Sequence, residues 1–442
     1  MTNEGIGVYA KNSSSDKYNE IVRPKISSTA EKTVGIYTDG NLKLVGVGDI
    51  KASTKAIGIY ANKGKIALED VQKIELTDAG TGIYLTNGSY LDGNKIELKN
   101  NTANKAAAGI YYTKGTASAQ VTHNTEIEVN DGNDALALYV DGGIDLKNNE
   151  TITISKNKGN VAAFITGNSK FTNNANITLE GTNLTQALGV YVQDGEATNL
   201  SGKNIKVKDE VAGSLYVGMA AVKSGMGIKA TVNNAGTIEA TGDAIAMYVD
   251  NNSSGTNSGT ITAKDSGTMK AIGTYIKGNA ASFSNTGSIS SDNIAIALED
   301  TSASKITART LNLTENNAVG VYAKNEKTVA LFAEGNTKIR KTVTSAAGKG
   351  HVGVYVKDSG VRFETGSKVI VNNGVGTDFG VGIYTDKAFS GDINTTIEQN
   401  GSETIGLFLG SSGGIGSTVN YTGNIEVGKG IGVFVPSDSK FV

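Results

Sequence analysis

One short stretch, Gly5-Ile6-Gly7-Val8-Tyr9, recurs in drifted form from one end of the chain to the other, and nothing else in the sequence limits the fold as tightly. Aligned on their last residue, the copies end at Tyr9, Tyr37, Tyr60, Tyr84, Tyr111, Tyr139, Phe164, Tyr191, Tyr216, Tyr248, Tyr275, Glu299, Tyr322, Tyr355, Tyr384, Phe408 and Phe434. That is 17 copies, 16 of them ending in an aromatic, with steps of 23 to 33 residues and a mean near 27. A period of this size marks stacked supersecondary units, none of which can bury its own apolar face alone.

Two residues before each anchor the side chain is small: Gly in most copies, and Ala137, Ala162, Ala246, Ala297 or Ser214 in the others. One and three residues before it stand mostly Ile, Val or Leu, as at Ile57 and Ile59. Alternation over five residues is strand periodicity, and β-branched and aromatic residues suit a strand. Asn-Gly or Asp-Gly often follows, as at Asp39-Gly40 and Asn87-Gly88, where the chain can turn. A second strand comes later in the repeat, as in Lys73-Ile74-Glu75-Leu76 and Asn204-Ile205-Lys206-Val207, with one apolar and one wet face. Between the two lies a short third element, seen at Phe171, Phe283 and Phe363, with Asn-x-Gly corners beginning at Asn234, Asn257 and Asn285. The expected fold is all-β: a parallel β-helix, or solenoid, of about 17 coils, roughly 27 residues per coil, with three short strands in each. It should run as a single elongated segment through residues 1–442. If Ile and Val point inward, the Gly and Tyr face points out and is unusually apolar for solvent; the reverse orientation would place both in the core.

A formal charge of −2 offers no general basic field for nucleic acid. With 57 Gly and only 2 Pro, turns can be frequent while keeping their backbone donors. Cysteine is absent, which removes disulfides and cysteine zinc sites. No apolar run is long enough for a transmembrane helix, and the first residues lack the basic and apolar regions of a signal peptide. The repeat begins close to Met1 and continues almost to Val442 without an evident polar cap, so the chain is expected to be a piece of a longer protein.

At its Asn-x-Gly-x-Ile corners and Gly-Ile-Gly-Val-Tyr strands the sequence resembles the passenger domains of type V (classical) autotransporters, in particular the very large fusobacterial autotransporter adhesins. The resemblance covers essentially the whole chain. It implies a bacterial surface protein held at the outer membrane by a C-terminal barrel not present in this chain, with a signal peptide upstream. It also implies adhesion to host-cell or bacterial surface proteins or glycans, and it carries over no individual binding residue.

Chemistry is sparse. The two histidines, His123 and His351, read as structural residues at turns or strand starts. No Gly-x-Ser-x-Gly elbow, His-Glu-x-x-His pair, EF-hand loop or calcium-stacking Gly-Gly-x-Gly-x-Asp repeat occurs. The acidic column Asp39, Asp141, Asp250 and Asp386 suits turns, since its members belong to different coils. Catalysis is therefore not expected, nor are a cofactor or a metal. A glycan-active enzyme on the same scaffold, which needs converging carboxylates, and a self-associating solenoid linking cells are the alternative readings. The aromatic column would stabilise the stack by covering glycines, or else form a ligand surface. Residues 217–243 and 323–350, where the coils are longest, are expected to project as loops and to carry recognition. The second includes the basic residues Lys338, Arg340, Lys341 and Lys349, a solvated loop or a site for an acidic partner.

Overall fold

The structure, a computed structural model, describes residues 5–12, 16–102, 105–116, 120–225, 229–278, 280–299, 305–307, 310–313, 318–324, 337–340, 351–357, 368–372, 380–386, 389–399 and 403–442. The described residues contain strands and turns and no α-helix, and the chain is a parallel β-solenoid. The chain divides into two units, Met1–Ala220 with Ser224–Val232, and Ala221–Lys223 with Asn233–Val442.

In the first unit each coil has three strand-forming sides, as expected, although neighbouring sides run together in places as one strand, as in Tyr90–Asn100 and Ile152–Ile165. Ile57–Asn62, Lys65–Leu68 and Gln72–Leu76 make one complete coil. Each strand pairs in parallel with its equivalent one coil away: Ile59 with Ile36, Ile66 with Leu42 and Ile74 with Ile50. From Tyr9 to Tyr191 the anchors take seven steps over 182 residues, a mean of 26, slightly under the expected period. In the second unit Ala244–Asp250, Ser254–Asn257 and Thr260–Lys264 form the corresponding coil, and Ile272–Lys277, Ser282–Asn285 and Ser288–Ser291 lie in register on it. Ser411–Ser412 and Ile415–Gly416 form a small antiparallel pair in this unit.

The core follows from the patterns. On the second type of strand every other side chain is enclosed: Ile50, Ile74, Ile96 and Leu98 are fully or almost fully buried, with Phe171 and Phe283 filling the third side. Between them the charged residues point out and pair across coils, Lys51 with Glu75 at 2.8 Å and Lys99 with Asp131 at 2.7 Å. Such exposed pairs contribute little each; their main effect is to keep this face soluble.

The anchor strand departs from simple alternation, and glycine is the reason. In Ile57–Asn62 the side of Gly58 and that of Ile59 both face the core, whereas Ile57 and Tyr60 are half-buried on the outside. The pairing register passes from Ile57 to Ile59 and skips Gly58. A Cβ on Gly58 would lie 2.5 Å from Ile50 Cγ2 and 2.6 Å from the Gly82 carbonyl oxygen, so the strand can close against the core there only without a side chain. The expectation that Gly and Tyr share one face is therefore corrected: Gly points in and Tyr points out. The aliphatic residue three before the anchor points out as well.

Two positions of the repeat need realignment. A Cβ on Gly189 would meet the carbonyl of Gly218, and the Ala187 amide bonds the Leu215 carbonyl, so Ala220 takes the anchor position after Tyr191. Tyr216, expected on the ladder, instead sits four residues before that anchor, fully buried, its hydroxyl donating to the Leu184 carbonyl. Likewise Tyr275 is in register with Ala297, not with Glu299. In both places a Tyr or Glu near the right spacing drew the alignment off by a few residues.

Residues 217–243 are mostly strand: Tyr216–Ala221, Ala230–Asn234 and Thr237–Thr241. The projecting loop expected there is reduced to the few residues after Ala221, of which 226–228 lie outside the described residues. Of 323–350 only 323–324 and 337–340 are described, the latter as the strand Thr337–Arg340, so the expected loop lies outside the described residues, as does Phe363.

Candidate functional site: an outward aromatic stripe

Because equivalent residues stack coil on coil, the anchors form ladders. In the first unit Tyr9, Tyr37, Tyr60 and Tyr84 follow one another with ring centroids 4.9 to 5.3 Å apart and nearly parallel planes. The series continues through Tyr111, Tyr139, Phe164 and Tyr191 at 4.7 to 5.3 Å. In the second unit Tyr248 and Tyr275 are 5.6 Å apart with planes tilted by 45°. After Ala297 the stack resumes through Tyr322, Tyr355, Tyr384, Phe408 and Phe434 at 4.8 to 5.4 Å. Each stacked pair adds about 0.5–1.5 kcal/mol beyond the area it buries.

Stacking decides what the ladder offers to a ligand. Neighbouring rings cover one another's faces, so the surface shows ring edges and hydroxyls. Beside the rings runs the column three residues earlier, in register from coil to coil: Ile6 with Val34 and Val34 with Ile57 in the first unit, Ile272 with Ile294 and Val319 with Val352 in the second; it is covered in places, as at Val161, Ile245 and Ile405. The two columns together make an apolar stripe on the outer face of each unit. The sequence showed the aromatics but not the stripe, because the alternation assigned the aliphatic column to the core.

Polar groups edge the stripe two residues after most anchors. The Tyr111 hydroxyl donates to Asp141 Oδ2 at 2.7 Å, in the following coil, and Tyr275 donates likewise to Glu299. Partial burial raises the Tyr111 phenol well above its ordinary pKa, and the adjacent Asp141 adds to the rise. Burial raises Tyr60, Tyr84 and Tyr384 in the same direction, and Tyr355 further with Asp386 beside it. All therefore remain neutral donors at physiological pH. Of the acidic column, Asp141 also accepts from the Gly142 amide at 2.6 Å and Asp250 from the Asn251 amide at 2.8 Å, the turn role expected of them.

Inside the solenoid runs a second ladder that sequence reasoning read only as corners. Asn148 Nδ2 donates to Asn173 Oδ1 at 3.0 Å, and Asn173 Nδ2 to Asn199 Oδ1 at 2.9 Å, all three side chains being fully buried. In the second unit Asn234, Asn257 and Asn285 repeat the arrangement at 2.8 and 2.7 Å. Five of the six amides also donate to a carbonyl two residues on, as Asn173 does to Ala175 at 2.7 Å and Asn234 to Gly236 at 3.2 Å, the latter closing an Asn-x-Gly corner, while Asn199 donates to the Lys203 carbonyl at 3.3 Å. His123 occupies the same column one coil before Asn148. It is fully buried inside a strand, not at a turn, with Nδ1 3.0 Å from the Tyr112 hydroxyl. Burial pulls its pKa down to about 4, so it is neutral. His351 is also buried, immediately before the strand Val352–Lys357. Among the described residues no group of three or more His, Asp or Glu could hold a metal ion.

Residues 87–229 are similar to a domain of unknown function (DUF7305), a match to about a third of the chain. No curated protein and no solved structure matches it.

Proposed function

We propose that this chain is a surface-exposed adhesin passenger segment of a bacterial autotransporter, acting as stalk and as a binding surface for other bacteria or host cells. The observation that carries the reading is the outer stripe. A soluble protein seldom exposes a contiguous apolar strip without a contact to make there, and here the aliphatic and aromatic columns remain in register over consecutive coils. The repeat motifs and their resemblance to autotransporter passengers supply the setting, an outer-membrane protein displayed at the cell surface. Because stacked rings present edges, the stripe favours protein surfaces over sugars that stack on ring faces.

The experiment is adhesion of beads coated with the chain to bacterial and epithelial cells. Val34→Lys with Ile57→Lys places charges on the stripe while leaving the rings and core in place. A loss of adhesion with an unchanged melting curve is expected. Undiminished adhesion by the folded variant would remove the stripe as the binding surface.

A further inference from the structure

The aromatic ladder of the second unit has one vacant position, at Ala297. It is in register with Tyr275 on one side and Tyr322 on the other. Two coil steps of about 4.8 Å separate those neighbours, the room that one ring fills elsewhere in the stack. The plane of Tyr275 is tilted by 45° from Tyr248 and its hydroxyl reaches Glu299 in the coil of Ala297, which is itself only 4% exposed, so the position without a ring is covered within the chain.

The charged column beside the ladder has an order of its own here. Asp250, Lys277, Glu299 and Lys324 lie in register in four consecutive coils. Lys324 pairs with Glu299 at 3.2 Å and Lys277 approaches it at 4.0 Å. The Lys277 side chain is 46% exposed and that of Lys324 39%, so the column lies at the surface. Read from one end the signs run minus, plus, minus, plus; read from the other they run plus, minus, plus, minus. A surface with that order is complementary to itself when turned end for end.

We propose that a second copy of this chain docks on this stretch of the stripe, related by a twofold axis parallel to the strands and passing between the coils of Tyr275 and Ala297. Such an axis lays column on column and reverses the coil order, an isologous arrangement in which the same patch serves both partners. Lys277 then faces the partner's Glu299, and Asp250 faces the partner's Lys324. Tyr275 lies opposite the partner's Ala297, and Ile272 and Ile294 meet as the apolar centre. The charge order selects this axis: one between the coils of Ala297 and Tyr322 would oppose Lys277 to the partner's Lys357. Four coils of roughly 4.8 Å by a strand of roughly 20 Å give about 400 Å² per partner, half the usual area, so a single contact is weak and gains from display of many copies on one surface. The proposal rests on reading the stripe as a contact surface and names its partner.

Sedimentation velocity on the whole 442-residue chain tests it, up to about 0.5 mM, where a complex of Kd near 0.1 mM is mostly formed. The parent should dimerise reversibly. Lys277→Glu opposes like charges twice across the axis and should weaken the dimer by roughly tenfold or more. Glu299→Lys should do the same, and Lys277→Glu combined with Glu299→Lys should restore the parent affinity. Asp250→Lys with Lys324→Asp is a second restoring pair, independent of the Tyr275 hydrogen bond. A parent that stays monomeric, or charge reversals that neither weaken nor restore association in folded protein, overturns the proposal. Cell adhesion measured on dilute monomer separates the two readings: monomer that binds cells but never dimerises refutes the second copy alone.

Discussion

The inner asparagine ladder and the outer tyrosine ladder are built by the same device, one residue type repeated at one place in successive coils, yet they obey opposite physics. Asn148, Asn173 and Asn199 are sealed from water, and the Asn148 and Asn173 amides are each committed to the next coil and to their own corner. Tyr37, Tyr60 and Tyr84 are half in solvent, and each ring touches the next through its face. Inside, a missing partner strands a buried polar group, which is costly. Outside, a missing ring leaves a gap that water, a tilted neighbour or another protein can fill. The interior columns thus fix the register of the coils, while the exterior column tolerates interruption at Ala220 and Ala297 and is free to acquire a binding role.

The sharpest test of that contrast is the inward glycine. Gly58→Leu must move either Ile50 or the backbone of the next coil, because even a Cβ would sit 2.5 Å from Ile50 Cγ2 and 2.6 Å from the Gly82 oxygen. A loss of about 4 kcal/mol is expected, read as a fall in the urea midpoint at unchanged slope. Gly58→Ala, which sequence comparison with Ala137 and Ala246 makes look harmless, should cost about 1–2 kcal/mol. At Gly109 the next coil leaves more room, with the Ala137 oxygen 3.2 Å from a Cβ, although Leu98 Cδ2 would lie 2.5 Å away and would have to shift. An alanine variant as stable as the parent would show that the coils breathe enough to accept a methyl group.

Much of the fold was legible because a repeat restates its pattern many times. Copies that drifted, such as the one ending at Phe164, are read from those that did not. The parallel solenoid, the three strands per coil and the outer position of the charges all follow from alternation and spacing. Two things were not legible. Alternation assumes one residue per face, and it cannot register a glycine at which the strand turns two successive positions inward; the outward column of Ile57 and Val352 was missed for that reason. Spacing alone also cannot tell Tyr216 or Glu299 from true anchors, since both stand within a few residues of the place and only pairing decides. The direction of the Asn side chains was hidden because an Asn-x-Gly corner reads the same whether the amide faces water or core.

The next effect belongs to the interior and depends on pH. His123 has a folded pKa of about 4 against an unfolded value near 6.5, so between those values the unfolded chain binds the extra proton. Its contribution is present above about pH 6.5 and is lost as the pH falls toward 4, at most about 3 kcal/mol. His123→Asn would continue the Asn148 column without a titrating group, and its melting temperature should fall less over that range. Parent and variant with the same acid dependence would acquit His123. Removing a rung of the amide column is next in size. Asn173→Ala leaves the Asn148 amide and Asn199 Oδ1 each short of a partner and should cost about 2–3 kcal/mol at any pH, measured by urea denaturation.

The smallest effects should lie on the outer ladder, and they should depend on how many ring faces are covered. Tyr60 stacks on Tyr37 at 5.2 Å and on Tyr84 at 4.9 Å, whereas Tyr322 stacks on Tyr355 at 5.4 Å and has Ala297 on its other side. With about 0.5–1.5 kcal/mol per stacked pair, Tyr60→Ser should cost about 2 kcal/mol and Tyr322→Ser about 1 kcal/mol. The difference is best isolated by supplying the missing ring. In the Ala297→Tyr background Tyr322 gains a second stacked face, and Tyr322→Ser should then cost about as much as Tyr60→Ser does in the parent. The coupling between positions 297 and 322, taken from the double-mutant cycle in urea midpoints, is expected to be about 1 kcal/mol and favourable. A coupling near zero would mean that a ring at 297 does not join the stack, and that the vacancy is set by the local backbone and not by the residue placed there. A clear coupling would show the ladder to be a sum of face-to-face contacts, with Ala297 its one open rung among the described coils of the second unit.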